Sequence, residues 1–182
     1  MSRALELCRL LVVAPEEAAQ SVLQRPLESS TVVLLLWGVF AQAVSQALSA
    51  GHAPLGLAAS FLAALIAASV AILLGGALIH LSAGLLGGNG SAGDLVRVLA
   101  LVYAPNIFLP AFALAGDGAL FLARVLIGLW QLWILVVGVR EAHRLSTSTA
   151  ASAVIIPAVF LLFALPLAGI SVLMLGLLSA MG

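Results

Sequence analysis

Few side chains in this sequence are able to do chemistry, and most of them stand inside apolar runs. His80 is the one ionisable residue of the run 55–86. Gly76 and Gly84 lie one helical turn to either side of it, so small residues share its face. Counted inward at about 1.5 Å per residue, His80, Tyr103 and Gln131 fall roughly 9–14 Å below one membrane surface. They are expected to form one intramembrane polar layer, with Asn106 beside them. A neutral imidazole donates from one nitrogen and accepts at the other, so Tyr103 and Gln131 suffice as partners for His80. Two uses fit such a layer: a tether between helices, or a proton or ligand site.

Two further constellations lie near the ends of the apolar runs. Asp117 and Arg124 share about the same helical face. They are expected to form an outer-side pair, with Arg124 either snorkelling to the interface or bound to Asp117. An anion-attracting site is the alternative. Asp94, Arg97, Arg140, Glu141, His143 and Arg144 are expected to form an interfacial cluster on the opposite side. Cations suit the end of a helix there, and Glu141 is within reach of Arg97 or Arg144. Such a cluster fixes orientation, or binds a headgroup or a partner.

Patterns of catalysis are missing. The loop GGNGSAGD has the glycines of a phosphate-binding loop without its lysine and the following Ser/Thr. The three histidines are far apart in sequence, so no zinc pair is expected. Cys8 is the single cysteine, which excludes an internal disulfide; it reads as an inert buried or interfacial thiol. No enzyme activity, metal or cofactor is expected. Net charge is zero, so no basic patch for nucleic acid is expected either.

The elements that must hold these residues are set by composition. The chain is 64% hydrophobic and 8% charged, against about 25% charged in soluble domains. A chain of 182 residues has no way to hide so much apolar surface from water. Lipid is therefore its solvent, and backbone groups in lipid must be paired within the segment. Long Ala/Leu runs without alternation favour helices over a barrel. The predicted fold is all-α and polytopic: five membrane-spanning helices, about 30–50, 55–86, 94–116, 119–144 and 150–181, preceded by amphipathic interfacial helices over 1–29. In that first segment Ala4, Leu7, Leu11 and Ala14 recur at helical spacing. Pro15 opens a second short helix and Pro26 ends it. Pro105 and Pro110 should kink the third span and leave carbonyls free inside the bundle.

Arginine placement predicts orientation. With five spans, Arg3, Arg9, Arg25, Arg97, Arg140 and Arg144 share the side of the N-terminus, and Arg124 stands alone on the other. Positive residues collect in the cytoplasm. The N-terminus is therefore expected inside and the C-terminus outside.

Two stretches carry a family resemblance: GGNGSAGDLVRVLALVYAP and GVREAHRLSTSTAASAVIIP. With five spans and the N-terminus inside, they resemble the Yip domain of Ypt-interacting, Rab-associated Golgi membrane proteins and their short bacterial relatives. The resemblance covers most of 10–175 and is strongest over 75–110 and 137–158. It implies five spans, a cytosolic N-terminus and, in eukaryotic members, vesicle traffic and GTPase binding. This chain departs from the family in its short pre-membrane segment. Pro26-Leu27-Glu28-Ser29 stands where the family has Asp-Leu-x-Gly-Pro, which argues against a Rab-type GTPase partner. The chain looks like a bacterial inner-membrane relative. The function implied is a non-enzymatic membrane module, acting in membrane organisation or as an adaptor for another protein. Membrane lipid, a second copy of the chain and an unidentified protein are its candidate partners. The alternative is a small-solute, ion or lipid transporter or channel that uses His80, Tyr103 and Gln131.

The arginine bias leads to a direct expectation. Reporter fusions after Gly90 and after Gly182 should report cytoplasmic and external positions respectively. The reverse pattern would overturn the orientation.

Overall fold

A computed structural model describes residues 3–24, 29–51, 54–160 and 162–163. Pro26, and the part of the expected fifth span that runs on to 181, lie outside the described residues. All regular structure among the described residues is helical. Two short helices come first, α1 (Arg3–Val13) and α2 (Pro15–Leu23). They are followed by α3 (Ser29–Ser49) and α4 (Pro54–Val70). A π-helical turn over Ala71–Gly75 joins α4 to α5 (Gly76–Leu85). Next comes α6 (Ala92–Val102), and a 3-10 turn over Ala104–Phe108 joins it to α7 (Leu109–Leu114). Then come α8 (Asp117–His143) and α9 (Thr147–Phe160). Among the described residues, Ser29–Ser49, Gly56–Leu85, Ala92–Leu114 and Asp117–His143 are long and apolar enough to cross a membrane; α9 is a shorter apolar helix. The protein is a polytopic, all-α membrane protein.

The amphipathic stripe of the first two helices is packed onto the bundle. Leu7, Leu11, Ala18 and Val22 are buried against Leu34, Leu101, Ala104 and Ile134. Glu16 and Glu17 occupy the first turn of α2, where the helix dipole favours anions. Cys8 lies half-buried in this layer, and burial pushes its thiol above the usual cysteine range. That supports an inert thiol over a reactive one.

The second and third spans are each interrupted. The π-turn in the second was not foreseen; such turns widen a helix by one residue and recur at functional sites. The interruption of the third follows from proline. Pro105 has no N–H to continue the α ladder. The chain tightens instead, with Asn106 N–H donating to the Tyr103 carbonyl at 3.1 Å and Leu109 N–H to the Asn106 carbonyl. Of the carbonyls expected to stay free, that of Asn106, which Pro110 cannot meet, takes the Leu109 N–H, and that of Leu101, which Pro105 cannot meet, takes the Tyr103 N–H.

Two glycines set how closely the spans cross. A Cβ at Gly38 would overlap the Tyr103 carbonyl, so α3 touches the backbone of the broken third span directly. A Cβ at Gly138 would overlap the Val98 side chain, which brings α8 onto α6. In lipid, helix association rests on this kind of close contact. A buried layer of Ile79, Leu95, Leu99, Val136, Val139 and Ala153 then joins α5, α6, α8 and α9 near the Arg140 end.

Gly38→Ala should therefore lower thermal stability in detergent by roughly 1–3 kcal/mol, the usual effect of overpacking. Gly128→Ala, whose Cβ would meet open space, should leave the melting curve unchanged or raised. Equal behaviour of the two variants would remove Gly38 from the crossing.

Candidate functional site

The broken spans face one another across a cavity of about 510 Å³. The π-turn contributes Ala71, Ile72 and Gly75 to its wall, and the third span contributes Tyr103 and Asn106. Gln42 and Gln46 enter from α3, and Arg124 and Gln131 from α8. The rest of the lining is mostly aliphatic, including Leu99, Ile127 and Leu135.

Three amides cross this space in series. Gln131 Nε2 donates to Asn106 Oδ1 at 2.9 Å, and Asn106 Nδ2 donates to Gln42 Oε1 at 3.2 Å. Asn106 is only 5% exposed, so both bonds to it are needed to offset the desolvation of its amide. The 3-10 turn places it: Asn106 follows Pro105 at the point where the helix axis is broken. The observed polar layer therefore joins α3, the third span and α8.

His80 stands apart from that layer. Its Nδ1 lies 3.0 Å from Nε2 of His143, with ring centroids 5.3 Å apart. One imidazole of the pair donates and the other accepts. This corrects the expected His80–Tyr103–Gln131 layer in its partners: Gln131 is bonded to Asn106, and His80 ties α5 to the end of α8. The glycine loop folds back onto the end of α8. Asn89 N–H donates to the His143 carbonyl at 3.2 Å, and a Cβ at Gly90 would overlap the Ala142 carbonyl. His143, expected in the charged cluster, is 1% exposed beneath this loop.

The charged residues near it form a different network from the one expected. Arg140 binds Glu141 at 2.7 Å and Glu16 of α2 at 2.9 Å. Glu141 also accepts from Gln20 Nε2 at 2.9 Å. Glu141 thus takes Arg140 and Gln20, where Arg97 or Arg144 was expected. Arg97 binds Asp94 at 3.1 Å and donates to the Leu23 carbonyl at 3.4 Å. Asp94 in turn accepts from Ser91, whose hydroxyl caps α6. Arg144 closes α8 in a left-handed conformation, φ 56°, and its side chain is exposed. Exposed ion pairs contribute only about 0.2–1 kcal/mol each, but Arg140 and Glu141 are part-buried and act with two residues of α2. The network clamps the N-terminal helices to the bundle.

At the other end, Arg124 makes no ion pair or hydrogen bond with another described residue, Asp117 included. The expected Asp117–Arg124 pair is therefore not formed. Both residues are exposed, Asp117 at the start of α8 and Arg124 along the wall of the cavity. Among the described residues no group of three or more His, Cys, Asp or Glu is arranged to hold a metal.

Four contributors were missed in the sequence: Gln42, Gln46, Glu16 and Gln20. The first two had a legible signal, since amides four residues apart in an apolar run share one helical face. The other two had none, because only the docking of α2 brings them to α8.

A model of the Yip1 domain matches residues 9–180. No curated protein and no solved structure matches the chain.

The two polar groups should be energetically separate. In a double-mutant cycle, His80→Ala and His143→Ala should couple by about 0.6–2 kcal/mol, the range for hydrogen bonds between membrane helices. His80→Ala and Tyr103→Phe should be additive. Coupling to Tyr103 and none to His143, read from thermal unfolding in detergent, would restore the expected layer.

Proposed function

From the chain's membership of the Yip1 domain family, we propose that it is a non-enzymatic membrane module acting in membrane organisation or as an adaptor. Its arginine-rich end faces the cytoplasm of a bacterial inner membrane and meets the partner. The observation that carries this reading is the platform built there from distant parts of the chain. Glu16 and Gln20 of α2 are locked to Arg140 and Glu141 of α8, and Arg97 reaches the end of α2. Around that platform Asn89, Arg144 and Ser148 are exposed. An assembled polar surface of this kind suits recognition, because its groups are positioned before a partner arrives. Beneath it, Leu95, Val139, Ala150 and Ala153 are 0–1% exposed. This dry layer separates the platform from the cavity and favours an adaptor over a conduit.

A second reading, transport of a small solute, an ion or a lipid, is favoured by the cavity itself. Polar groups within membrane spans commonly mark such pathways.

A photo-crosslinker at Ser148 in intact cells should give one or a few discrete protein adducts. The same probe at Asp117 should not give them. Arg140→Ala should reduce the Ser148 adducts several-fold while the membrane domain stays folded. Reconstituted liposomes separate the two readings. An adaptor leaves encapsulated ions and solutes leaking at the rate of empty vesicles. A protein-dependent flux that Gln131→Leu abolishes would replace the adaptor with a transporter.

A further inference from the structure

The cavity has a chemistry that the adaptor reading leaves unused. Its three amides form a chain, Gln131 to Asn106 to Gln42. A chain of that kind ends in a free N–H2, here that of Gln42, and at its other end in a free carbonyl oxygen, that of Gln131. Gln46 lies one turn further along α3 on the same wall. Arg124 brings a guanidinium, and no described residue pairs with it. No carboxylate lines the cavity. The polar wall is thus rich in donors, carries one positive charge and has no counter-ion of its own. Arg124 is exposed, and a cation within a span is costly unless something of opposite charge or water meets it.

The remaining wall has the opposite character. Ile72, Leu99, Ile127 and Leu135 present aliphatic surface, and the π-turn places Gly75, which has no side chain, beside them. The volume of about 510 Å³ is in the range of small-molecule sites, roughly 300–1,000 Å³. Donors on one side and hydrocarbon on the other suit a molecule with both an acidic head and an apolar tail.

We propose that this cavity binds one anionic amphiphile, its phosphate or carboxylate head at Arg124, Gln42 and Gln46 and its tail along Ile72, Leu99 and Leu135. The site stands whether the bundle organises the membrane or moves a solute. Arg124 is then a ligand-binding residue, and the amide chain holds Gln42 in position to donate.

The test uses the full chain purified in a neutral detergent. Phosphatidylglycerol and phosphatidylcholine with identical acyl chains are added in turn, and retention is read by native mass spectrometry beside thermal melting. Phosphatidylglycerol should raise the melting temperature and be retained at least five-fold more than phosphatidylcholine. Glycerol phosphate, the soluble head without a tail, should not displace it at equal concentration. Arg124→Gln should reduce phosphatidylglycerol retention about five-fold or more, and Gln46→Leu at least two-fold. Arg9→Gln, exposed on α1, should leave it unchanged. Should Arg124→Gln fail to fold, Gln46→Leu and the lipid comparison decide alone. Equal retention of the two lipids overturns the proposal, because Arg124 then only snorkels. Displacement by glycerol phosphate alone overturns the amphiphile and leaves a soluble-anion site. Wild-type retention in the folded variants places the lipid elsewhere and also overturns it.

Discussion

The structure depends on one break in one helix. Pro105 has no amide proton, so the third span cannot run through as an α-helix. In lipid the freed groups have no water to turn to; the Leu101 carbonyl takes the Tyr103 N–H, and the chain tightens into 3-10 bonds accepted by the Tyr103 and Asn106 carbonyls. That tighter turn changes the direction in which Asn106 points. It puts a nearly buried amide between α3 and α8, where Gln42 and Gln131 meet it. Gly38 makes the same place accessible to α3, because its missing side chain is the space the Tyr103 carbonyl occupies. The break, the close crossing and the amide chain are thus one arrangement.

Around it the bundle divides by packing. Toward Arg140, aliphatic residues of α5, α6, α8 and α9 fill the space between helices, and their exposure falls to a few per cent. Toward Arg124, α3, the second and third spans and α8 leave a cavity with one polar wall. The division has a local cause at each end. Gly138 lets α8 settle on Val98 of α6, which closes one half. In the other half, the π-turn of the second span and the 3-10 turn of the third both line the cavity, and both interrupt the regular ridges by which helices interlock.

The two histidines show how a loop can decide a site. The glycine loop after α5 lies against the end of α8 through Asn89 and Gly90. It covers His143, which would otherwise stand at the membrane surface beside Arg140. Covered, His143 needs a polar partner, and His80 supplies it. Family membership adds a frame for these features, since the Yip1 domain model spans 9–180 and so includes both the loop and the broken span.

Composition and periodicity alone determined that the chain is helical and spans a membrane. Those properties are sums over many residues, and lipid permits few solutions for an apolar chain of this length. The Yip-domain resemblance was likewise legible, because its stretches are contiguous in sequence. Within the site, His80, Asn106, Gln131 and Arg124 were legible as residues that are costly in lipid and therefore need partners. Which partner each one takes was not. Interhelical hydrogen bonds contribute only about 0.6–2 kcal/mol, too little to choose the register of whole spans. Steric fit makes that choice, through Gly38 against Tyr103, Gly138 against Val98 and Gly90 against Ala142. Only the tertiary structure therefore paired His80 with His143, separated Arg124 from Asp117, and brought Glu16 and Gln20 to Arg140 and Glu141. Each of those contacts depends on helix offsets that close packing sets and that no single span encodes.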